Sequence, residues 1–165
     1  MQCASRLTTR GRAAQRRAVT PDVVLRRATI DEILDVRHAV LRPGLPLDTA
    51  RFEGDDELAT RHFGAFLPAG ENVACISCMR RSRAGLNAWQ VRGMATRADL
   101  TGQGIGTALL GFAVAALRED AGPRLLWCNA RVSAMGFWER AGWVIASDVF
   151  DIAGVGPHRV LELRI

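Results

Sequence analysis

Apolar positions along this chain recur with two periods, and the switches between them divide it into elements. Val23-Val-Leu-Arg-Arg27 reads as a first strand. Thr29-Ile-Asp-Glu32 has the spacing of a capping box, and Ile33, Val36, Arg37 and Val40 continue at helical steps until Pro43-Gly44 stops the helix. An irregular, acid-rich stretch runs from Leu45 to Thr60. Arg61 to Leu67 then alternates like a strand and ends in the turn Pro68-Ala-Gly70. Two further strand runs, Asn72 to Met79 and Ala88 to Thr96, flank the polar loop Arg80 to Asn87. Three neighbouring strands with short connections predict an antiparallel meander.

The pattern changes at Met94-Ala-Thr-Arg-Ala-Asp-Leu-Thr-Gly-Gln-Gly-Ile-Gly-Thr-Ala-Leu-Leu110, where a β-like run breaks into a glycine-rich loop that opens directly into a helix. Ile105, Leu109, Phe112, Ala113, Ala116 and Leu117 mark one buried face of that helix, which ends near Asp120. Arg124-Leu-Leu-Trp-Cys128 reads as a short buried strand closed by Asn129, reached by a crossover long enough for a parallel pair. Ala134, Phe137, Trp138 and Ala141 predict a last helix stopped by Gly142. Trp143 to Phe150 and Arg159 to Ile165 predict two closing strands joined through Gly154-Val-Gly-Pro157.

The glycine loop is where chemistry enters. Gly102, Gly104 and Gly106 allow positive φ and close backbone approach, and the amides and dipole of a helix start favour an anion there. A Walker A loop requires a lysine, and all the basic side chains of this chain are Arg. A dinucleotide fingerprint requires a third glycine where Thr107 or Leu109 stands. The spacing present is Thr101-Gly102-Gln103-Gly104-Ile105-Gly106. A loop this short is also a common structural turn, so its context has to decide.

Composition narrows the partners. The net charge of +5 belongs to Arg6, Arg10, Arg12, Arg16 and Arg17, since the rest of the chain carries 17 Arg against 17 acids. Residues 1–22 therefore read as a disordered basic tail, or an Arg-rich targeting segment, ahead of one domain over residues 23–165. Five Arg without interleaved aromatics argue against a nucleic-acid partner. No apolar run is long enough for a membrane span, and four cysteines in no evident framework fit a reducing, cytoplasmic setting. Cys75 and Cys78 should point to opposite faces of a strand, and no second ligand pair completes a metal site, so no metal is expected.

The glycine loop resembles the acyl-CoA loop of the GNAT superfamily of N-acetyltransferases, Gln/Arg-x-x-Gly-x-Gly/Ala, with Thr101 at its first position. A second likeness is Asn129, then Ala-x-x-x-Ala, then Trp138-Glu-Arg-Ala-Gly-Trp143, where the family has Asn, Ala and Tyr-Glu-Lys-Leu-Gly-Phe. The element order is similar from Val23 to Ile165. The resemblance implies an α/β (α+β) fold with a mixed central sheet, an antiparallel N-terminal meander and helices on both faces. It implies acetyl-CoA as co-substrate, with Met94, Ala95 and Thr96 pairing with pantetheine. The pyrophosphate would rest on the amides of Gly102, Gln103, Gly104, Ile105, Gly106 and Thr107, with Asn129 on the facing strand. Thr96 could equally end its strand, and Asn129 could cap the next helix.

The implied reaction is direct attack of a primary amine, small or on a protein, on the thioester. A base must take the amine proton. The strand from Ala88 to Thr96 holds no acid, which leaves Glu53, Asp55, Asp56 and Glu57, or His62, as candidates beside purely structural roles. The family's acid, a Tyr, is Trp138 here, and an indole cannot give up its proton. His158, Cys128, Ser133 or water could substitute. A degenerate member that binds acyl-CoA without turnover is the competing expectation, and pairing of two copies stays open.

Overall fold

The computed structural model describes residues 22–165, so all but Asp22 of the expected basic tail lies outside the described residues. The order is β1 (Val24–Ala28), α1 (Ile30–Leu41), β2 (Arg61–Phe66), β3 (Asn72–Arg80), β4 (Trp89–Thr96), α2 (Ile105–Glu119), β5 (Leu125–Arg131), α3 (Met135–Arg140), β6 (Val144–Ile145), β7 (Phe150–Ile152) and β8 (Gly156–Arg164). The sheet runs β1-β2-β3-β4-β5-β8-β6, with β7 also on β8. Every pairing is antiparallel except β4 with β5. This is the expected mixed sheet with an antiparallel meander at its N-terminal side.

Local chemistry explains the first helix. The Thr29 amide donates to Glu32 Oε2 at 2.8 Å while the Glu32 amide donates to Thr29 Oγ1 at 3.3 Å, so two otherwise unpartnered donors are satisfied reciprocally. The buried face of α1, Ile33, Leu34 and Val36, packs with Cys75 and Ala95 on one side of the sheet. Ile105, Leu109, Ala113 and Leu117 of α2 pack on the other side with Phe63, Ile76, Trp89 and Leu126. Cys78 belongs to this second cluster and Cys75 to the first, so the two thiols face opposite ways. Burial pushes them up, to about 11 for Cys75 and about 12 for Cys78, which makes both poor thiolates. No helix among the described residues is long and apolar enough to cross a membrane.

Three expectations need correction. First, β5 does not close at Asn129 but continues to Arg131, because Asn129, Ala130 and Arg131 pair with Val160, Arg159 and His158 of β8. Asn129 accordingly caps no helix; the residue before α3 is Ala134, with no side-chain cap. Second, Trp143 to Phe150 is not one strand. Trp143 is buried against Trp138 at 4.9 Å, and β6 and β7 pair separately along β8, with Ser147 Oγ accepting from the Val160 amide at 2.8 Å in the break between them. Third, β8 starts at Gly156, which brings Pro157 and His158 into the sheet.

Candidate functional site

The parallel pair at the centre of the sheet comes apart almost at once. β4 meets β5 only at Trp89–Leu126 and Gln90–Trp127, so the remainder of β4 leaves its backbone groups on that side without a strand partner. The same part of β4 is bulged. Arg92 pairs with Ser77 and Ala95 with Cys75, leaving Gly93 and Met94 opposite a single residue, and Gly93 takes φ +62°. A Cβ on Gly93 would lie 2.8 Å from Arg37 Nε, so the position is closed to a side chain on two grounds. Sequence reasoning passed over Gly93, although a glycine inside a strand pattern is itself a bulge signal.

Two cavities open beside this gap. One, of about 490 Å³, is bounded by Met94, Ala95 and Thr96 of β4, by the glycine loop and by Phe137, Trp138 and Arg140 of α3. Gly104 is the residue before α2, at φ +84°, and no side chain caps the helix there. No acid lies in the first turn either, so its free amides and positive dipole are left for something else. A Cβ on Gly102 or Gly104 would meet nothing within 4 Å; backbone shape, not crowding, requires glycine. Gly106 differs: it is helical, and its Cβ would sit 3.3 Å from Thr96 Oγ1 across the cavity. Thr101 also borders this cavity, but its hydroxyl donates to the Ala98 carbonyl at 2.9 Å. Gln103 does not border it, and its amide donates to the Asp99 carbonyl at 3.2 Å.

The other cavity, about 400 Å³, has different chemistry. Its walls include Phe52, Arg42, Arg92, Asn129, Arg131 and His158, and no carboxylate. The guanidinium carbons of Arg42 and Arg92 lie 5.5 and 4.5 Å from the centre of the Phe52 ring. Burial holds Arg92 below its ordinary value, an effect partly opposed by the carboxylates of Asp55 and Glu53. His158 is 4% exposed, and its Nδ1 lies 2.7 Å from the Gly156 carbonyl oxygen. That oxygen can only accept, so Nδ1 carries the proton and Nε2 the lone pair of the neutral ring. Met94, Ala134 and Trp138 border both cavities, which makes them the junction of one continuous groove.

The sequence profile of the acetyltransferase (GNAT) family matches residues 29–143, a stretch that holds the bulged strand, the glycine loop and α3. The chain belongs to this family. As a family member it is an acyltransferase, and it is 30% identical over 136 residues to the uncharacterized N-acetyltransferase YitI of Bacillus subtilis (strain 168), across 81% of this chain and 90% of that protein. Among solved structures, ElaA of Escherichia coli shares the fold with a TM-score of 0.72 at 16% identity, over 86% of this chain and 99% of that one. An aminoglycoside 6'-N-acetyltransferase complexed with coenzyme A does so with a TM-score of 0.68 at 13% identity, over 86% and 96%.

Within this GNAT frame the residues nominated from sequence separate into two groups. Trp138, His158, Asn129 and most of the loop border the groove, whereas Glu53 and His62 do not. Glu53 is exposed. His62 is buried in a polar network under the bulge of β4. Arg37 Nη1 donates to Asp55 Oδ2 at 2.6 Å and to the Ala50 carbonyl at 3.1 Å, and its Nη2 donates to Ser77 Oγ. Ser77 Oγ lies 2.6 Å from His62 Nδ1, and His62 Nε2 lies 2.9 Å from the Asp55 carbonyl oxygen. With Arg37 donating to the hydroxyl and the Asp55 carbonyl able only to accept, His62 is fixed as the Nε2–H tautomer with both nitrogens committed. Burial lowers its pKa, which keeps the ring neutral.

Proposed function

We propose that the chain transfers an acetyl group from acetyl-CoA to a primary amine by direct attack. The observation that carries this reading is the pair of unlike cavities meeting at Met94, Ala134 and Trp138, in the gap that opens beyond the two residue pairs joining β4 and β5. The first cavity fits the phosphate-bearing end of acetyl-CoA. Its helix start is uncapped, the directions of the Gly102 and Gly104 Cβ atoms are empty, and Arg140 adds a cation. The Thr107 hydroxyl is a further donor, and the unpaired edge of β4 at Met94, Ala95 and Thr96 offers backbone partners to an amide-containing arm. Bound there, acetyl-CoA supplies the thioester that the amine attacks.

The chain's own residues then have separable tasks in the second cavity. His158, with Nδ1–H held by the Gly156 carbonyl, keeps a lone pair on Nε2 to take the proton of the incoming amine. Trp138 borders both cavities, and its indole can donate a hydrogen bond there but not a proton. Its edge-to-face contacts with Phe137 and Trp143, at 5.3 and 4.9 Å, hold the ring at the junction. A thiolate is a tolerable leaving group, so the missing phenol slows transfer without preventing it.

Thermal unfolding with and without acetyl-CoA, joined to free-thiol release over a panel of amines, tests the reading. Acetyl-CoA at about 100 times its Kd should add about 2.7 kcal/mol of stability, with much smaller shifts from ATP or NAD. Equal shifts from all three, or none from acetyl-CoA, would overturn the ligand. A normal shift without thiol release from any amine would favour an acyl-CoA sensor instead.

A further inference from the structure

We infer that the acceptor amine carries an anionic group, a carboxylate or a phosphate, and that Arg42, Arg92 and Arg131 receive it. The inference rests on the proposed transfer and names the substrate class of that same groove. Among the described residues, three guanidiniums border the second cavity and no acid does, although residues 22–165 are balanced at 17 Arg and 17 carboxylates. Arg51 lies against Asp31 and Asp56, Arg81 against Glu57, and Arg97 against Glu71 and Asp99, whereas other arginines outside the cavity, such as Arg27 and Arg164, have no carboxylate partner among the described residues. What sets this cavity apart is that its unpaired guanidiniums border one enclosed space. Arg42, Arg92 and Arg131 have no carboxylate within 4.0 Å among the described residues.

The aromatic at the cavity wall fixes how these cations are presented. Arg42 and Arg92, like the buried Arg37, have their guanidinium carbons over the Phe52 ring, a contact that uses none of their N–H donors and leaves those of the two cavity arginines for an anion. Their remaining contacts are weak neutral ones. Arg42 Nη1 donates to the Leu41 carbonyl at 3.2 Å, and Arg92 Nη1 reaches the Glu53 carbonyl at 3.5 Å and Met79 Sδ at 3.6 Å. Arg92 is half-buried, with its burial offset only in part by the more distant carboxylates of Asp55 and Glu53, so a ligand anion at the cavity would complete its pairing. The phosphates of the donor do not need these residues, since the uncapped α2 start and Arg140 border the other cavity. A site of this charge repels polycationic amines, and a cavity of about 400 Å³ suits a small molecule.

The test uses the full chain, saturating acetyl-CoA and two matched series read by thiol release: 4-aminobutyrate, O-phosphoethanolamine, ethanolamine and putrescine, then L-glutamate and its diamide. An anionic member should exceed its uncharged counterpart at least about tenfold in kcat/KM, and the better of carboxylate and phosphate names the group. Arg92→Gln should raise KM for that amine by about tenfold to a hundredfold while leaving the acetyl-CoA Kd unchanged. Arg131→Gln, at an exposed position, makes the same test without risk to the fold. Equal or better turnover of ethanolamine or putrescine, or unchanged KM in both variants, would overturn the inference while transfer itself stands. If no amine reacts, thermal shifts of the CoA-loaded protein decide. Stabilisation by the anionic amines alone, lost in Arg92→Gln, upholds the anion site and sinks transfer; no such stabilisation sinks both.

Discussion

Glu53 and Asp55 stand two positions apart in one acidic stretch and have opposite fates. Asp55 is 3% exposed and its carboxylate meets Arg37, with both side chains wholly buried; Glu53 faces solvent. Removing one member of a buried pair strands the other's charge, so Asp55→Ala should cost about 3–5 kcal/mol in urea unfolding. Glu53→Ala should stay within about 0.5 kcal/mol of the parent. Comparable losses from the two would mean that the pair is not buried in solution. His62, in the same network, gives a pH signature. Its folded pKa is lowered from the ordinary 6.5, so as pH falls below that value the unfolded chain binds a proton that the folded chain resists. Stability should be full above pH 6.5 and decline below it. His62→Gln should flatten this slope between pH 7.5 and 5.5, and an unchanged slope would assign the effect to other groups.

At the scale of elements, two glycines required for different reasons should fail differently. Gly104→Val forces a β-branched residue into the left-handed region just before α2 and aims its side chain into the loop cavity. The protein should stay folded while acetyl-CoA affinity drops at least about tenfold in calorimetry; normal affinity would move the cradle elsewhere. Gly93→Ala meets Arg37 at 2.8 Å in addition to its φ of +62°, so its first effect should be lost stability, about 1–2 kcal/mol from the backbone alone. The sequence made the periodic parts of these elements legible. The apolar steps of α1 and α2, the capping box at Thr29 and the alternation in β2 to β4 are local signals, and each appears where its period indicates. The break between β6 and β7 was not legible, because Trp143 to Phe150 is apolar enough for a strand and only pairing along β8 shows the interruption filled by Ser147. The glycine loop could be read because one short segment makes it. Arg42, Phe52, Arg92 and Arg131 could not, since they come from four separate parts of the chain and share no spacing.

Over the whole molecule, the groove behaves as two compartments with one junction, and that architecture predicts how substitutions combine. Gly104 borders only the loop cavity and His158 only the cationic one, while Trp138 borders both. Gly104→Val should therefore act on acetyl-CoA binding and leave the amine KM alone, once acetyl-CoA is saturating. His158→Ala should lower kcat by about 10²- to 10⁴-fold, the range for loss of a positioned base, with the acetyl-CoA Kd unchanged. Gly104 and His158 border different cavities, which meet only at Met94, Ala134 and Trp138, so their effects on kcat/KM should add as free energies to within about 0.5 kcal/mol in the double variant. Trp138→Phe keeps a ring at the junction but deletes the indole N–H, and it alone should alter both acetyl-CoA affinity and turnover, each modestly. Its effect should also fail to add with either partner, because it touches both compartments. Coupling of more than about 1 kcal/mol between Gly104→Val and His158→Ala, with Trp138 intact, would show that the two cavities form a single pocket and that donor and acceptor are bound there together rather than side by side.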